Sequence, residues 1–130
     1  MRSLDAIFAP NAIAVIGAST TPGKVGYDIF ANILKGGYQG TLYPVNPAAR
    51  SILSMRAYPS VSEIPDAVDL AIIVLSADAT LKAVEESARK GVKGVVIVSA
   101  GFREVGKKGL EAENRIVSIC REAGIRVVGP

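Results

Sequence analysis

Between residues 17 and 26 the chain gathers Gly17, Ser19, Thr20, Gly23, Lys24 and Gly26. Glycines let a backbone turn tightly and come close to a ligand. Ser and Thr hydroxyls and a Lys ammonium are hydrogen-bond donors. The apolar run Ile13-Ala14-Val15-Ile16 precedes them, and a helical pattern opens at Val25. Such a strand–turn–helix unit offers free backbone N–H groups and a positive helix end to an anion. The chemistry indicated is binding of a phosphate-bearing ligand. Ser19 and Thr20 either donate to phosphate or cap the helix. Lys24 either pairs with a phosphate or faces water. Val25 is expected to offer its backbone N–H while its side chain joins the core.

The spacing sorts the candidate ligands. A dinucleotide fingerprint requires G-x-G-x-x-G, but Ser19 takes the place of its second glycine. A P-loop requires G-x-x-x-x-G-K-[ST]. The interval from Gly17 to Gly23 is one residue too long for it, and Val25 stands where the metal-binding hydroxyl belongs. NAD sites place a carboxylate at the end of the second strand for the ribose hydroxyls. Here that strand ends Pro44-Val45-Asn46-Pro47, with no Asp or Glu between Asp28 and Glu63. Arg50 and Arg56 fall in the same interval. This disfavours NAD and favours a ligand carrying extra phosphate, with NADP still compatible.

Other chemistries lack their residues. There is no histidine, which removes Ser-His and Cys-His nucleophile pairs and the usual metal ligand. One cysteine, Cys120, permits neither an intrachain disulfide nor a cysteine zinc site. It lies beside Ile116 and Val117 in a helical pattern and reads as a core residue. A net charge of +3, with aromatics at 5% and no Trp, gives no nucleic-acid signature. No apolar run approaches a membrane span and no signal peptide precedes the first strand, so a cytoplasmic protein without membrane partners is expected.

The elements that must position these residues alternate along the chain. Strands are expected at 12–17, 40–45, 70–75, 94–99 and 125–128. Helices are expected at 25–35, 77–90 and 110–123. Residues 51–58 read as irregular, with a short edge strand near 56–58, and 61–64 as a single helical turn. Val25, Ile29, Phe30, Ile33 and Leu34 form the stripe of the first helix. Glu85/Arg89 and Glu86/Lys90 form i,i+4 pairs on a solvated face. The 130 residues suffice for one domain with a real core. The order implies an α/β fold, a parallel sheet of about five strands with helices on both faces. Ligands of such sheets bind at the strands' C-terminal ends. Residues 17–26, 45–50, 76–80 and 99–104 should therefore converge.

The motifs then point further. I-A-V-I-G-A-S at 13–19 and P-G-K-V-G-Y at 22–27 resemble the coenzyme A-binding domain of ADP-forming acyl-CoA synthetases, relatives of the succinyl-CoA synthetase α subunit. Y-P-V-N-P at 43–47, A-Y-P-S-V at 57–61, V-D-L-A-I-I-V at 68–74, S-A-G-F-R-E at 99–104 and G-I-R-V-V-G-P at 124–130 follow in order. The resemblance covers nearly the whole chain. It implies a Rossmann-like, doubly wound fold and coenzyme A as the ligand, whose diphosphate and ribose 3′-phosphate suit the charge pattern.

By this resemblance Val45, Asn46 and Pro47 border the adenosine. The family's basic residue is not fixed in position, and here Arg50 is the candidate for the 3′-phosphate, with Arg56 in reserve. Val74, Leu75 and Ser76 contact pantetheine or adenine, and Val98, Ser99 and Ala100 lie near the ligand. Gly101 lets the chain pass the thiol end. Glu104 either orients a phosphate-bearing loop or is a surface acid. The implied reaction converts acyl-CoA, ADP and phosphate to acid, CoA and ATP through an acyl phosphate and a phosphohistidine. That histidine and an ATP-grasp nucleotide site would lie in other domains, so residues 1–130 are expected to be an N-terminal domain that binds without turning over. Two rivals stand beside this reading: an NADP-binding module, and a stand-alone or regulatory CoA-binding protein, including one joined to an acyltransferase.

Overall fold

The apolar, β-branched run at 12–16 forms strand β1 (Ala12–Ile16), every residue of which is buried. In the computed structural model, which describes residues 5–98 and 106–129, β1 is an interior strand of a five-stranded parallel sheet. Its neighbours are β2 (Thr41–Val45) and, on the other side, β5 (Leu70–Ile73). Next come β6 (Gly94–Ile97) and β7 (Arg126–Val128), giving the order β2-β1-β5-β6-β7. The register sets Ile16 opposite both Val45 and Ile73, so these strand ends lie level.

Alternation along the strands divides the core in two. Ala12, Ala14 and Ile16 join one cluster with Ala71, Ile73 and Val95. Helices α3 (Ala77–Lys90) and α4 (Lys107–Ala123) cover it with Ala83, Val84, Ala112, Ile116 and Cys120. Ile13 and Val15 join the other cluster, covered by Phe30 of helix α2 (Val25–Lys35). The short helix α1 (Asp5–Phe8), not expected from the sequence, lies against β6 on that side. Gly94 admits it, since a Cβ there would come within 3.1 Å of Ile7 Cγ1.

Several expectations change. The stripe of α2 is narrower than its sequence suggests: Gly26, Phe30 and Ala31 are buried, whereas Leu34 is exposed. Val25 is 55% exposed, so its side chain does not join the core. Helix α4 begins at Lys107 rather than at 110, because Gly106 turns the chain and its carbonyl accepts from Leu110 N at 3.1 Å. Residues 51–56 form an antiparallel hairpin, β3 (Ser51–Ile52) and β4 (Met55–Arg56), and Tyr58 makes a single parallel bridge to Val45. The helical turn expected at 61–64 is present as a 3-10 turn at Val61–Glu63. Lys90 leaves the solvated face and donates from Nζ to Ile64 O at 2.6 Å, tying α3 to that turn.

Among the described residues no helix is long and apolar enough to cross a membrane. No group of three metal-ligating side chains occurs among them either.

Candidate functional site

The strand order changes direction at β1, whose sequence neighbours leave on opposite sides. In open parallel sheets this opens a crevice beyond the strands' C-terminal ends. The loops after β1, β2 and β5 all emerge there.

After β1 the chain turns at Gly17, with φ +99. Gly17 N donates to Val45 O at 3.1 Å. A Cβ at this position would collide with the Val74 carbonyl oxygen and lie 3.1 Å from Leu75 Cδ2. Gly26, in the first turn of α2, is equally constrained: its Cβ would strike Gly17 O and sit 3.4 Å from Ala18 Cα. The two glycines press the start of α2 directly against the strand ends. Gly23 has open space around it and serves its turn through φ +93 alone.

Among the described residues no side chain caps the α2 N-terminus: Lys24 is the flanking residue, extended in backbone, and makes no side-chain bond to the first helical amides. Its carbonyl accepts from Asp28 N at 3.0 Å, which leaves the N–H groups of residues 25–27 without intrahelical acceptors. Ser19 does not cap the helix. Its Oγ accepts from Thr21 N at 3.0 Å and shapes the turn, keeping its O–H free to donate. Thr20, Lys24 and Val25 are exposed on the rim.

After β2 the Asn46 backbone N–H donates to Tyr58 O at 2.9 Å, and Tyr58 N donates to Pro44 O at 3.0 Å. The Asn46 side chain donates to Ala18 O at 2.9 Å and accepts from Ala48 N and Ala49 N. Pro47 is exposed beyond the strand end. Arg50 opens the hairpin, with its carbonyl accepting from Ala57 N at 2.9 Å. Buried Ile52 anchors that hairpin in the cluster that holds Phe30 and Ala18. The Arg50 side chain is exposed and has no partner among the described residues. Arg56 is committed elsewhere: its guanidinium lies 5.4 Å from the Tyr58 ring centroid. Tyr58 meets Tyr43 edge-on, and the Tyr43 hydroxyl donates to Asp66 Oδ2 at 2.7 Å. Burial, and then that bond, push the Tyr43 hydroxyl up to about 12.

After β5, Val74 N donates to Ile16 O at 2.8 Å and Leu75 is half-buried. Ser76 Oγ caps α3 through Ala79 N, which gives this side chain a structural task. Thr80, fully buried, donates to Leu75 O at 3.2 Å and pins the loop. Sequence reasoning did not single out Thr80 or Tyr58 as site residues, because Thr80 acts through a bond to the Leu75 carbonyl and Tyr58 through its own backbone, which bonds Pro44 and Asn46. Val98, 37% exposed, follows β6 and donates to Ile73 O at 2.8 Å. Ser99, Ala100, Gly101 and Glu104 lie outside the described residues. Gly17, Gly26, Val45, Asn46 and Leu75 thus meet at one end of the sheet through hydrogen bonds and close backbone approach, with Ser19, Thr20, Gly23, Lys24 and Arg50 around them.

The family model described as CoA binding domain matches residues 11–130. The chain belongs to the CoA-binding domain family. This CoA-binding domain is 49% identical over 124 residues to an ADP-forming acetate–CoA ligase II of Archaeoglobus fulgidus, covering 95% of this chain and 18% of that protein. It is 46% identical over 132 residues to the α subunit of an ADP-forming acetate–CoA ligase I of Pyrococcus furiosus, covering 98% of this chain and 29% of that subunit. The apo form of Candidatus Korarchaeum cryptofilum dinucleotide-forming acetyl-coenzyme A synthetase 1 superposes with a TM-score of 0.91 at 41% identity. That match covers 98% of this chain and 27% of the other. The CoA-binding domain therefore spans less than a third of the length of these relatives. The Rossmann-like α/β fold is that of the synthetase.

Proposed function

We propose that this domain binds coenzyme A in the crevice at the C-terminal ends of β1, β2 and β5. We propose further that it serves as the CoA-binding part of an ADP-forming acyl-CoA synthetase. The observation that carries the reading is the uncapped α2 N-terminus, pressed against the strand ends by Gly17 and Gly26. The loop after the second strand, tied by Asn46 to Ala18 O of the glycine turn, carries Arg50 and no carboxylate. A helix start of this kind favours an anion through its free N–H groups and its dipole.

In this reading the amides of residues 25–27, the Ser19 and Thr20 hydroxyls and the Lys24 ammonium hold the diphosphate. Gly17, Gly23 and Gly26 keep the backbone close enough for this to happen. Val45, Asn46 and Pro47 border the adenosine, and Arg50 takes the 3′-phosphate. Leu75 and Ser76 line the path of the pantetheine, which runs on toward Val98, Ser99 and Ala100. Coenzyme A supplies the thiol that accepts the acyl group. With no histidine to carry a phosphoryl group, these residues bind and orient. Turnover belongs to the remaining synthetase domains, an ATP-grasp domain among them.

Titration calorimetry on the 130-residue chain tests this. Saturable one-to-one binding of CoA, with no comparable binding of NADP⁺, is expected. Tight NADP⁺ binding with no heat from CoA contradicts it.

A further inference from the structure

The Asn46 side chain spends its polar atoms inside the protein. Nδ2 donates to Ala18 O at 2.9 Å, across 28 positions of sequence. Oδ1 accepts from Ala48 N at 2.8 Å and from Ala49 N at 2.9 Å. The backbone N–H of the same residue donates to Tyr58 O at 2.9 Å. One residue therefore joins three segments: the glycine turn after β1, the loop that leads to Arg50, and the strand returning from the hairpin. Ala18 is almost wholly buried between Gly17 and Ser19, so a bond to its carbonyl fixes the turn itself.

We propose that Asn46 is a positioning residue. Its amide holds the glycine turn and the Arg50 loop at one fixed spacing, so that the diphosphate and the 3′-phosphate of one CoA molecule are gripped together. The inference rests on the CoA reading above. It gives Asn46 a task different from bordering adenosine. A ligand with anionic groups at two places gains from both only if their binding groups are held at the matching distance. An Asn is suited to this because its amide donates and accepts at once.

The readout is the preference for CoA over dephospho-CoA, measured as the ratio of their dissociation constants. Asn46→Ala removes all three side-chain bonds. Asn46→Ser retains a local hydroxyl turn to Ala48 N but is too short to reach Ala18. Thermal unfolding without ligand checks that each variant is folded, and the Ser variant covers the case in which the Ala variant is not. Both variants are expected to lower the preference by about threefold or more, with CoA losing more affinity than dephospho-CoA. Equal losses for the two ligands, or no loss, overturn the proposal, as does a wild-type chain with no preference between them. A wild-type chain that binds neither ligand overturns the CoA reading itself, and this proposal with it.

Discussion

Arg50 precedes the hairpin and Arg56 ends it, and of the two only the Arg56 side chain has a partner among the described residues. Arg56 lies over the Tyr58 ring, whereas Arg50 has no partner among the described residues and faces outward. Arg50 is thus the residue able to take a phosphate without breaking an existing contact. Arg50→Ala should weaken CoA by about 10- to 100-fold, the range of about 1.5–3 kcal/mol for a charge-assisted bond. Dephospho-CoA should be weakened far less. Equal losses by calorimetry would contradict the assignment. Tyr43 makes a second prediction at this scale. Its hydroxyl is raised from about 10 to about 12, so folding favours the neutral phenol. The stability it contributes is fully present below pH 10 and is lost as pH rises toward and through 12. Tyr43→Phe should flatten that part of the stability curve, read from urea midpoints between pH 9 and 12. An unchanged alkaline slope would contradict the raised Tyr43 hydroxyl, to which burial and then the Asp66 bond contribute.

At the scale of elements, the sequence was legible where periodicity and punctuation agreed. The bounds of α2 and α3 are those read from the pattern, Val25–Lys35 and Ala77–Lys90. The hairpin was not legible. Its central residues, Leu53 and Ser54, both have positive φ, 49° and 68°, yet neither is the Asn or Gly that marks such a turn. Ser54→Gly should therefore stabilise the domain by about 1 kcal/mol, because glycine enters that region without steric cost. Chemical denaturation would show it, and a destabilised variant would refute the strain. The start of α4 was hidden for a different reason: Lys107, Lys108 and Gly109 carry no start signal, and Gly106 acts through its backbone. In the site, the glycine turn was legible because φ and close approach demand particular residues. The Asn46–Ala18 bond was not, because it joins the loops after two strands that become neighbours only in the folded sheet.

At the scale of the whole molecule, the sheet divides the domain into the proposed binding end and a remainder with no part in that proposal. Cys120 belongs to the remainder. It is almost wholly buried and its thiol is raised by desolvation, which disfavours the reactive thiolate. A thiol reagent should label it only as the domain unfolds; rapid labelling under native conditions would contradict its place in the core. Two cavities also lie in the remainder. One of about 390 Å³ is lined by Val117, Cys120 and Ile125. The other, of about 550 Å³, lies beside Phe8, Pro10 and Tyr38, where the strands begin. Neither includes the glycine turn. The central claim, that coenzyme A sits where the strands end, is tested most directly by titrating CoA into the isotope-labelled chain and following its amide resonances. Binding there predicts that the largest shifts fall on residues 17–26, 45–50 and 74–76. Shifts confined to 117–127, or to 7–13 and 38–40, would contradict it.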